Sequence, residues 1–139
     1  MMKRNGLIKI LICLSLTAIA GNELNVKDFG AVMDGITDDS AAVLSAFSAA
    51  GDGDKVYFPA GTAVMTQPIV VSNQSITIVG EDVSNTRILW TAPGGIDIEI
   101  PMAEQCEIAN LQLIAGCSNA GSAIHLVSEN RASRAMICL

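Results

Sequence analysis

Short runs of alternating apolar and polar residues fill the chain from about residue 55 onward. Successive side chains of a strand point to opposite faces, so a run of this kind predicts a short strand with one buried face. Gly, Asn, Ser, Asp or Pro separates the runs, as expected for turns. The predicted strand runs are KVYFPAGT (stopped by Pro59, with Gly61 in the turn), AVM, IVV, SITIVG, TRILW, GIDIEI, CEIANLQLIAG, SAIHLV and RAMICL.

One segment before these runs has helical spacing instead. After a short predicted strand at residues 24–26 and a turn at Asp34-Gly35, the stretch TDDSAAVLSAFSAAG predicts a helix over residues 38–50. Thr37 is the expected N-cap, two aspartates follow in the first turn, and Gly51 is the expected C-cap. The apolar face of this helix consists of Val43, Leu44 and Phe47.

An internal repeat selects among the all-β architectures. Many short strands are compatible with a sandwich, a barrel or a β-solenoid. A shift of 28 residues superimposes apolar positions on apolar positions, and a repeat of this size indicates a solenoid. The pairs aligned by this shift are Ile96 with Ile124, Asp97 with His125, Ile98 with Leu126, Ile108 with Met136, and Leu111 with Leu139.

Asn110 is a candidate turn residue between two such strands, with an ordinary bulge as the alternative.

The first twenty residues have the order of a secretory signal peptide. Lys3, Arg4 and Lys9 precede the eleven-residue apolar run ILICLSLTAIA, which ends in an A-x-A cleavage site before Gly21. The run is too short for a stable membrane span, and Ile12 disfavours lipidation at Cys13. We therefore expect a signal peptide at residues 1–20, a mature domain at residues 21–139, and secretion.

The net charge narrows the class of partner, and the cysteine count bears on disulfides and metal sites. Without the three basic residues of the leader, 5 basic residues face 14 acidic ones, a net charge of −9. Nucleic acid and anionic membranes are therefore not expected as partners. Cys106, Cys117 and Cys138 are an odd number, so at least one is expected to pack as a small apolar residue. A chain with one histidine has no zinc-type Cys/His spacing.

Two runs near the N-terminus of the predicted mature domain are VKDFGAVMDGITDDSAAVLSAFSAA and KVYFPAGT. Together they resemble the N-terminal segment of the pectate-lyase superfamily. This group includes rhamnogalacturonase-like and epimerase-like carbohydrate enzymes and phage tailspikes. The sequence departs from the pattern at Met33, where a small residue is usual, and at Ala63, where an aromatic residue is common. The matching positions are Val26, Asp28, Phe29, Gly30, Ala31, Asp34, Gly35, Asp38, Asp39, Ala42, Val56, Tyr57, Phe58, Pro59 and Gly61.

The resemblance implies a right-handed parallel β-helix whose open N-terminal end is capped by the predicted helix. Asp34, Asp38 and Asp39 are then turn and cap residues rather than metal ligands or catalytic acids. The last run, RAMICL, ends within an apparent inward-facing strand and no polar cap follows it. We therefore expect this chain to be a truncated portion of such a β-helix.

The family chemistry implied by the resemblance takes two forms. Hydrolases of this fold use paired carboxylates, and lyases use carboxylate-bound calcium with a basic residue. Neither the neighbouring aspartates with a downstream Gly-His-Gly nor a convincing lyase cluster is present in the sequence. The catalytic residues are thus left unassigned, no cofactor or metal site is predicted, and calcium stays open for a lyase.

Several outward positions are candidates for polar chemistry. Asp97 and His125 would lie on adjacent coils and could polarise a sugar hydroxyl, with a surface ion pair as the alternative. Asp97, Glu99 and Glu107 could form a calcium-binding face, although alternating exposed acids produce the same pattern without an ion.

Three further features have both a binding and a structural interpretation. Arg131 and Arg134 are candidates for a uronate carboxylate, with solvated turns as the alternative. Trp90 is a candidate for stacking on a sugar ring, with a packed strand residue as the alternative. The segment GDGD, residues 51–54, is too short for a calcium loop and suits a turn after the helix.

The sequence therefore predicts a secreted carbohydrate-active β-helix of the polysaccharide lyase or glycoside hydrolase type, in an incomplete and inactive portion. The alternative is a non-catalytic glycan-binding adhesin or tailspike-like module. The expected partner is a polysaccharide or a surface glycan, and no membrane contact is expected after signal cleavage. Enzymatic activity and oligomeric state are left open.

Overall fold

The computed structural model of the protein describes residues 21–72, 75–100, 105–116, 124–128 and 134–138. These residues form twelve strands, one α-helix and one 3-10 helix. In chain order the elements are β1 (Glu23–Asn25), η1 (Val26–Phe29), β2 (Asp34–Asp38), α1 (Ser40–Ala49), β3 (Lys55–Phe58), β4 (Gly61–Met65), β5 (Ile69–Ser72), β6 (Ile76–Gly80), β7 (Thr86–Trp90), β8 (Ile96–Ile100), β9 (Gln105–Ala109), β10 (Gln112–Ala115), β11 (Ile124–Ser128) and β12 (Arg134–Cys138).

The strands form three parallel sheets, and consecutive strands enter successive sheets. Sheet A has the order β1-β3-β6-β9-β12, sheet B the order β10-β7-β4-β2, and sheet C the order β11-β8-β5. The chain therefore completes one coil with β3, β4 and β5, and repeats it with β6, β7 and β8 and again with β9, β10 and β11. This stacking confirms the predicted parallel β-helix.

Inward positions of the coils stack like on like. In sheet A, Ile78 lies in register between Val56 and Ile108, and all three side chains are almost completely buried. In sheet B, Ile88 pairs with Ala63, and both are fully buried. Parallel register places the same face of each strand over the same face of the next, so the period-two pattern produces a continuous apolar core.

The helix α1 lies at the N-terminal end of this core and packs against η1 and β4. Its buried Val43, Ala46 and Phe47 join the same hydrophobic cluster as the strands of the first coils. In chain order α1 connects β2 of sheet B to β3 of sheet A, where later coils have a strand of sheet C. The position agrees with the predicted cap, although Leu44 is only half-buried.

The ends of α1 differ from the prediction by one or two residues. Asp39 is the N-cap residue rather than Thr37, and Ala50 is the C-cap residue rather than Gly51. Asp38 and Asp39 therefore precede the helix and do not lie in its first turn. The reason is tertiary, because the Asp39 backbone N–H donates to the carbonyl of Val64 in β4 and holds the chain extended up to that point.

Two local predictions near the turns were wrong. Asp34-Gly35 was predicted as a turn, but it begins β2, whose pairing with β4 contains a register shift between Asp34 and Asp38. Gly61 was placed in a turn, but it begins β4 with a φ of 139° and passes close to the carbonyl oxygen of Met33. Asn110 is confirmed as a turn residue, with a φ of 57°, and it divides the predicted run CEIANLQLIAG into β9 and β10.

The predicted repeat of 28 residues is confirmed for β8 and β11, where Asp97 pairs with His125 and the neighbouring predicted pairs also hold. It is wrong for β9 and β12, because Ile108 pairs with Ile137 rather than Met136. One additional residue in the connection between sheets shifts this register. Leu139 lies outside the described residues, so its predicted pairing with Leu111 is not described.

Within the described ranges, no helix combines the length and the apolar character that crossing a membrane requires.

Candidate functional site

The buried acid of the N-terminal segment is Asp39, which is 2% exposed. Its carboxylate accepts hydrogen bonds from the backbone N–H of Val32 at 2.7 Å and of Met33 at 3.0 Å. Met33 has a φ of 62°, a left-handed conformation that is uncommon for a residue with a side chain. The carboxylate thus stabilises a strained loop, and its oxygens are directed to backbone donors rather than to a groove.

The two exposed aspartates of this segment also have local partners. Asp34 accepts from the backbone N–H of Ile36 at 2.8 Å and of Thr37 at 2.7 Å, and from the Thr37 hydroxyl at 2.9 Å. Asp38 accepts from the backbone N–H and hydroxyl of Ser40 and from the Thr66 hydroxyl at 2.8 Å. These local contacts give both carboxylates a structural role, although Asp34 begins β2 and does not lie in the predicted turn.

These contacts predict acid-sensitive stability. Donation from the Thr37 and Ile36 backbone lowers the pKa of Asp34, and donation from Ser40 and Thr66 lowers the pKa of Asp38. A carboxyl with a lower pKa in the folded state contributes stability above its unfolded pKa, and loses that contribution as the pH falls through the folded pKa. We expect the thermal unfolding midpoint to fall as the pH decreases below about 4.

The control for this prediction compares two variants. Asp38→Asn should unfold at a lower temperature near pH 6 and should show a shallower decrease toward pH 3, as measured by circular dichroism. Asp28→Asn changes an exposed acid outside these contacts and should keep the wild-type profile. Parallel pH profiles for Asp38→Asn and the wild type would contradict the assignment.

The segment at residues 51–54 is a turn, as predicted, and its aspartates also contact two other parts of the chain. Asp54 accepts from the backbone N–H of Asn22 and of Gly51, each at 2.7 Å. Asp52 accepts from the backbone N–H of Ser75 at 2.8 Å. Both carboxylates therefore have backbone partners, and this segment orders the chain between α1 and β3.

A polar surface that the sequence analysis did not single out lies on sheet A and the adjacent turn. The Tyr57 hydroxyl donates to Glu81 Oε2 at 3.3 Å, and the same oxygen accepts from the Ala60 backbone N–H at 2.9 Å. Lys55, two residues before Tyr57 on β3, pairs with Glu23 at 3.3 Å. Desolvation, followed by the charge of Glu81, raises the pKa of Tyr57. We call Lys55, Tyr57 and Glu81 the sheet A surface, which offers donors and acceptors suited to sugar hydroxyls.

The alternation of β3 contained a signal for this surface, because Lys55 and Tyr57 fall on the face opposite Val56 and Phe58. The contact between Tyr57 and Glu81 spans 24 positions and crosses from one coil to the next. Sequence spacing alone did not indicate it.

The predicted sugar-stacking residue is buried, and the three acids of the candidate calcium face do not share one sheet. Trp90 is 2% exposed and its Nε1 donates to the Gln67 carbonyl at 3.1 Å, so it is a packed residue and does not stack on a sugar. Asp97 and Glu99 belong to sheet C, whereas Glu107 belongs to sheet A. The acids of the candidate calcium face are therefore divided between two sheets.

For His125, Arg131 and Arg134 the structure describes the backbone at most. The backbones of Asp97 and His125 are paired as predicted, but the His125 side chain lies outside the described part. Arg131 also lies outside it, and Arg134 begins β12 in register with Gln105. In the described part of the chain, no three His, Cys, Asp or Glu side chains gather as a metal site would require.

Cys106 is buried with a free thiol, as the odd cysteine count led us to expect for at least one residue. Burial raises the pKa of its thiol to about 11. The thiolate form is therefore scarce at neutral pH, and Cys106 behaves as an apolar core residue.

Comparisons with known proteins agree with this architecture. A probable polygalacturonase of Arabidopsis thaliana is 50% identical over 54 residues, which are 36% of this chain and 12% of that protein. Mannuronan C5-epimerase AlgE2 of Azotobacter vinelandii is 54% identical over 80 residues, which are 56% of this chain and 8% of that protein. The chain thus spans about a tenth of the length of these curated relatives.

Among solved structures, ORF18 of Geobacillus virus E2 superimposes with a TM-score of 0.54 and 29% sequence identity, over 66% of this chain and 20% of that chain. The family model described as rhamnogalacturonase A/epimerase, pectate lyase-like matches residues 24–130. The match begins in β1 and continues beyond β11, so it includes the cap and the stacked coils. This chain belongs to the rhamnogalacturonase A/epimerase, pectate lyase-like family of carbohydrate-active β-helix proteins.

Proposed function

We propose that this chain forms the N-terminal cap and first coils of a secreted polysaccharide-active β-helix protein of the lyase or hydrolase type. The relatives named as a polygalacturonase and a mannuronan epimerase support a polysaccharide as the ligand. The basic, apolar and A-x-A order of residues 1–20 supports export. The observation that carries the proposal is the sheet A surface, which presents partly exposed hydrogen-bonding groups on β3 and on the turn after β6, inside the family match.

Within this proposal the chain binds glycan without turning it over. The N-terminal aspartates are the acids that the family pattern places in this segment, and Asp34, Asp38 and Asp39 are all occupied by backbone or hydroxyl donors. A general acid or base must reach the proton that it transfers, and these carboxylates are directed to the protein instead. The proposed role of the chain is thus scaffold and glycan contact.

The test combines binding and turnover on the same preparations. The full chain is titrated with polygalacturonate, alginate and a neutral β-1,3-glucan by isothermal calorimetry, and the mixtures are assayed for reducing ends and unsaturated uronates. We expect binding of at least one polymer and no product. Product formation would contradict the inactive role, and absence of binding to all three polymers would contradict the proposal.

A matched pair of variants locates the contact. Tyr57→Phe removes one hydroxyl from the sheet A surface and should weaken binding about threefold to tenfold, as expected for the loss of one hydrogen bond. Ser48→Ala removes an exposed hydroxyl from α1, where it donates to Leu44, and should leave affinity unchanged. Equal effects of the two substitutions would exclude the sheet A surface.

A further inference from the structure

The outward face of sheet B has a polar row in which an arginine is held by neutral partners. Thr62, Arg87 and Gln112 occupy the same register position on β4, β7 and β10. Arg87 Nε donates to Gln112 Oε1 at 3.2 Å, and its Nη2 donates to the Ser84 carbonyl at 3.3 Å. Gln112 Nε2 in turn donates to the Val83 carbonyl at 2.7 Å. The orientation of the guanidinium is therefore restricted before any ligand arrives.

The contacts described for Arg87 are to a neutral amide and a carbonyl and not to a carboxylate. Asp82, the acid closest to Arg87 in sequence, directs its carboxylate to the Ser84 backbone N–H at 2.7 Å. A guanidinium has five N–H donors in a planar fork that matches a carboxylate, and the two contacts of Arg87 leave several donors for solvent. An oriented, exposed cation on an acidic chain is a local site at which a polyanion can approach.

An apolar row lies directly beside the polar row. Val64, Leu89 and Ile114 are in register on the same three strands, two residues beyond Thr62, Arg87 and Gln112. Val64 is buried and Leu89 is half-buried, whereas Ile114 is 36% exposed and Val83 in the neighbouring turn is 40% exposed. The part of the row that reaches the surface is therefore Leu89 and Ile114. Pyranose rings present C–H faces as well as hydroxyls, so a surface with apolar and polar rows side by side suits a sugar chain better than it suits a free ion.

We propose that this surface, consisting of Arg87 and Gln112 with Leu89 and Ile114, is a binding site for the carboxylate of a uronate residue in an acidic polysaccharide. Arg87 would bind the carboxylate through its free donors, and the apolar row would contact the ring. Charge complementarity selects an acidic glycan over a neutral one. The inference rests on the proposed function for the polymer class, but it assigns recognition of the acid group to sheet B, away from the sheet A surface.

The test measures affinity for polygalacturonate and for its fully methyl-esterified form, two polymers that differ in the carboxylate charge. The wild-type full chain should bind the acid form more tightly. Arg87→Gln should lower affinity for the acid form about tenfold and leave the ester unchanged, as expected for the loss of a charge-assisted contact. Lys27→Gln removes an exposed cation from η1 and should change affinity less than about twofold.

Several outcomes would overturn the inference. Equal losses for Arg87→Gln and Lys27→Gln would indicate a general charge effect, and unchanged affinity in Arg87→Gln would exclude the site while glycan binding itself is retained. If Arg87→Gln unfolds, Arg87→Lys keeps the charge without the planar fork, and wild-type affinity in that variant would contradict bidentate recognition. Equal wild-type affinity for the acid and the ester excludes the site without any variant. Failure to bind either polymer would contradict the inference, and it would contradict the proposed function only if alginate and the β-1,3-glucan also fail to bind.

Discussion

Replacing Trp90 with alanine should lower the free energy of unfolding by about 4 kcal/mol, the usual scale for removing a large aromatic side chain from a core. Trp90 is in register with Met65, which is fully buried, and its indole packs closely against Gly94. The substitution leaves a cavity between coils and removes the donor to the Gln67 carbonyl. Chemical denaturation of the full chain, followed by circular dichroism, measures the change.

A second substitution at the same position separates packing from hydrogen bonding. Trp90→Phe keeps most of the apolar volume but loses Nε1, so it should cost about 1–2 kcal/mol. If Trp90→Ala were as mild as an exposed substitution, the side chain could not lie inside the coils. A loss of glycan binding in Trp90→Phe without a loss of stability would instead support stacking of this residue on a sugar ring.

Replacing Asp39 with alanine should lower the free energy of unfolding by about 3 kcal/mol. The carboxylate satisfies the N–H groups of Val32 and Met33, and the Met33 donor is buried, so alanine would leave both donors without this acceptor. It would also release the left-handed conformation at Met33, whose carbonyl accepts from the Thr62 backbone N–H in β4. We expect the loop and α1 to detach from the first coil before the remaining strands unfold.

Hydrogen exchange measures this effect residue by residue. The control is Asp28→Ala, which makes the same substitution at an exposed aspartate. Amides of α1 should lose protection in Asp39→Ala, whereas amides of β6 and β7 should change less. Asp39→Asn keeps one acceptor oxygen and should fall between alanine and the wild type. A uniform loss of protection throughout the chain would argue against a separately anchored cap.

The strands were predictable because their alternation is local. In TRILW, Arg87 marks the outward face, so Ile88 and Trp90 must point inward, and the burial of Trp90 could have been read from that phase. The strand β2 was missed because its residues are mostly exposed, and its pairing with β4 is irregular rather than marked by apolar alternation.

Contacts between coils were the part that sequence spacing could not predict. Arg87 and Gln112 are 25 positions apart, whereas Tyr57 and Glu81 are 24 apart. The offset between paired residues is 22 for Val56 and Ile78 but 30 for Ile78 and Ile108, because the connections differ in length while the strands keep their register. A single repeat length therefore identifies the architecture but assigns some of the paired residues wrongly.

In this architecture each strand pairs with strands one coil away and not with its neighbour in sequence. Inter-strand nuclear Overhauser effects around Ile78 in the folded full chain measure this pairing. Parallel cross-strand contacts are expected from Ile78 to Val56 on one side and to Ile108 on the other. Antiparallel contacts between β6 and β7, in the manner of a hairpin, would contradict it.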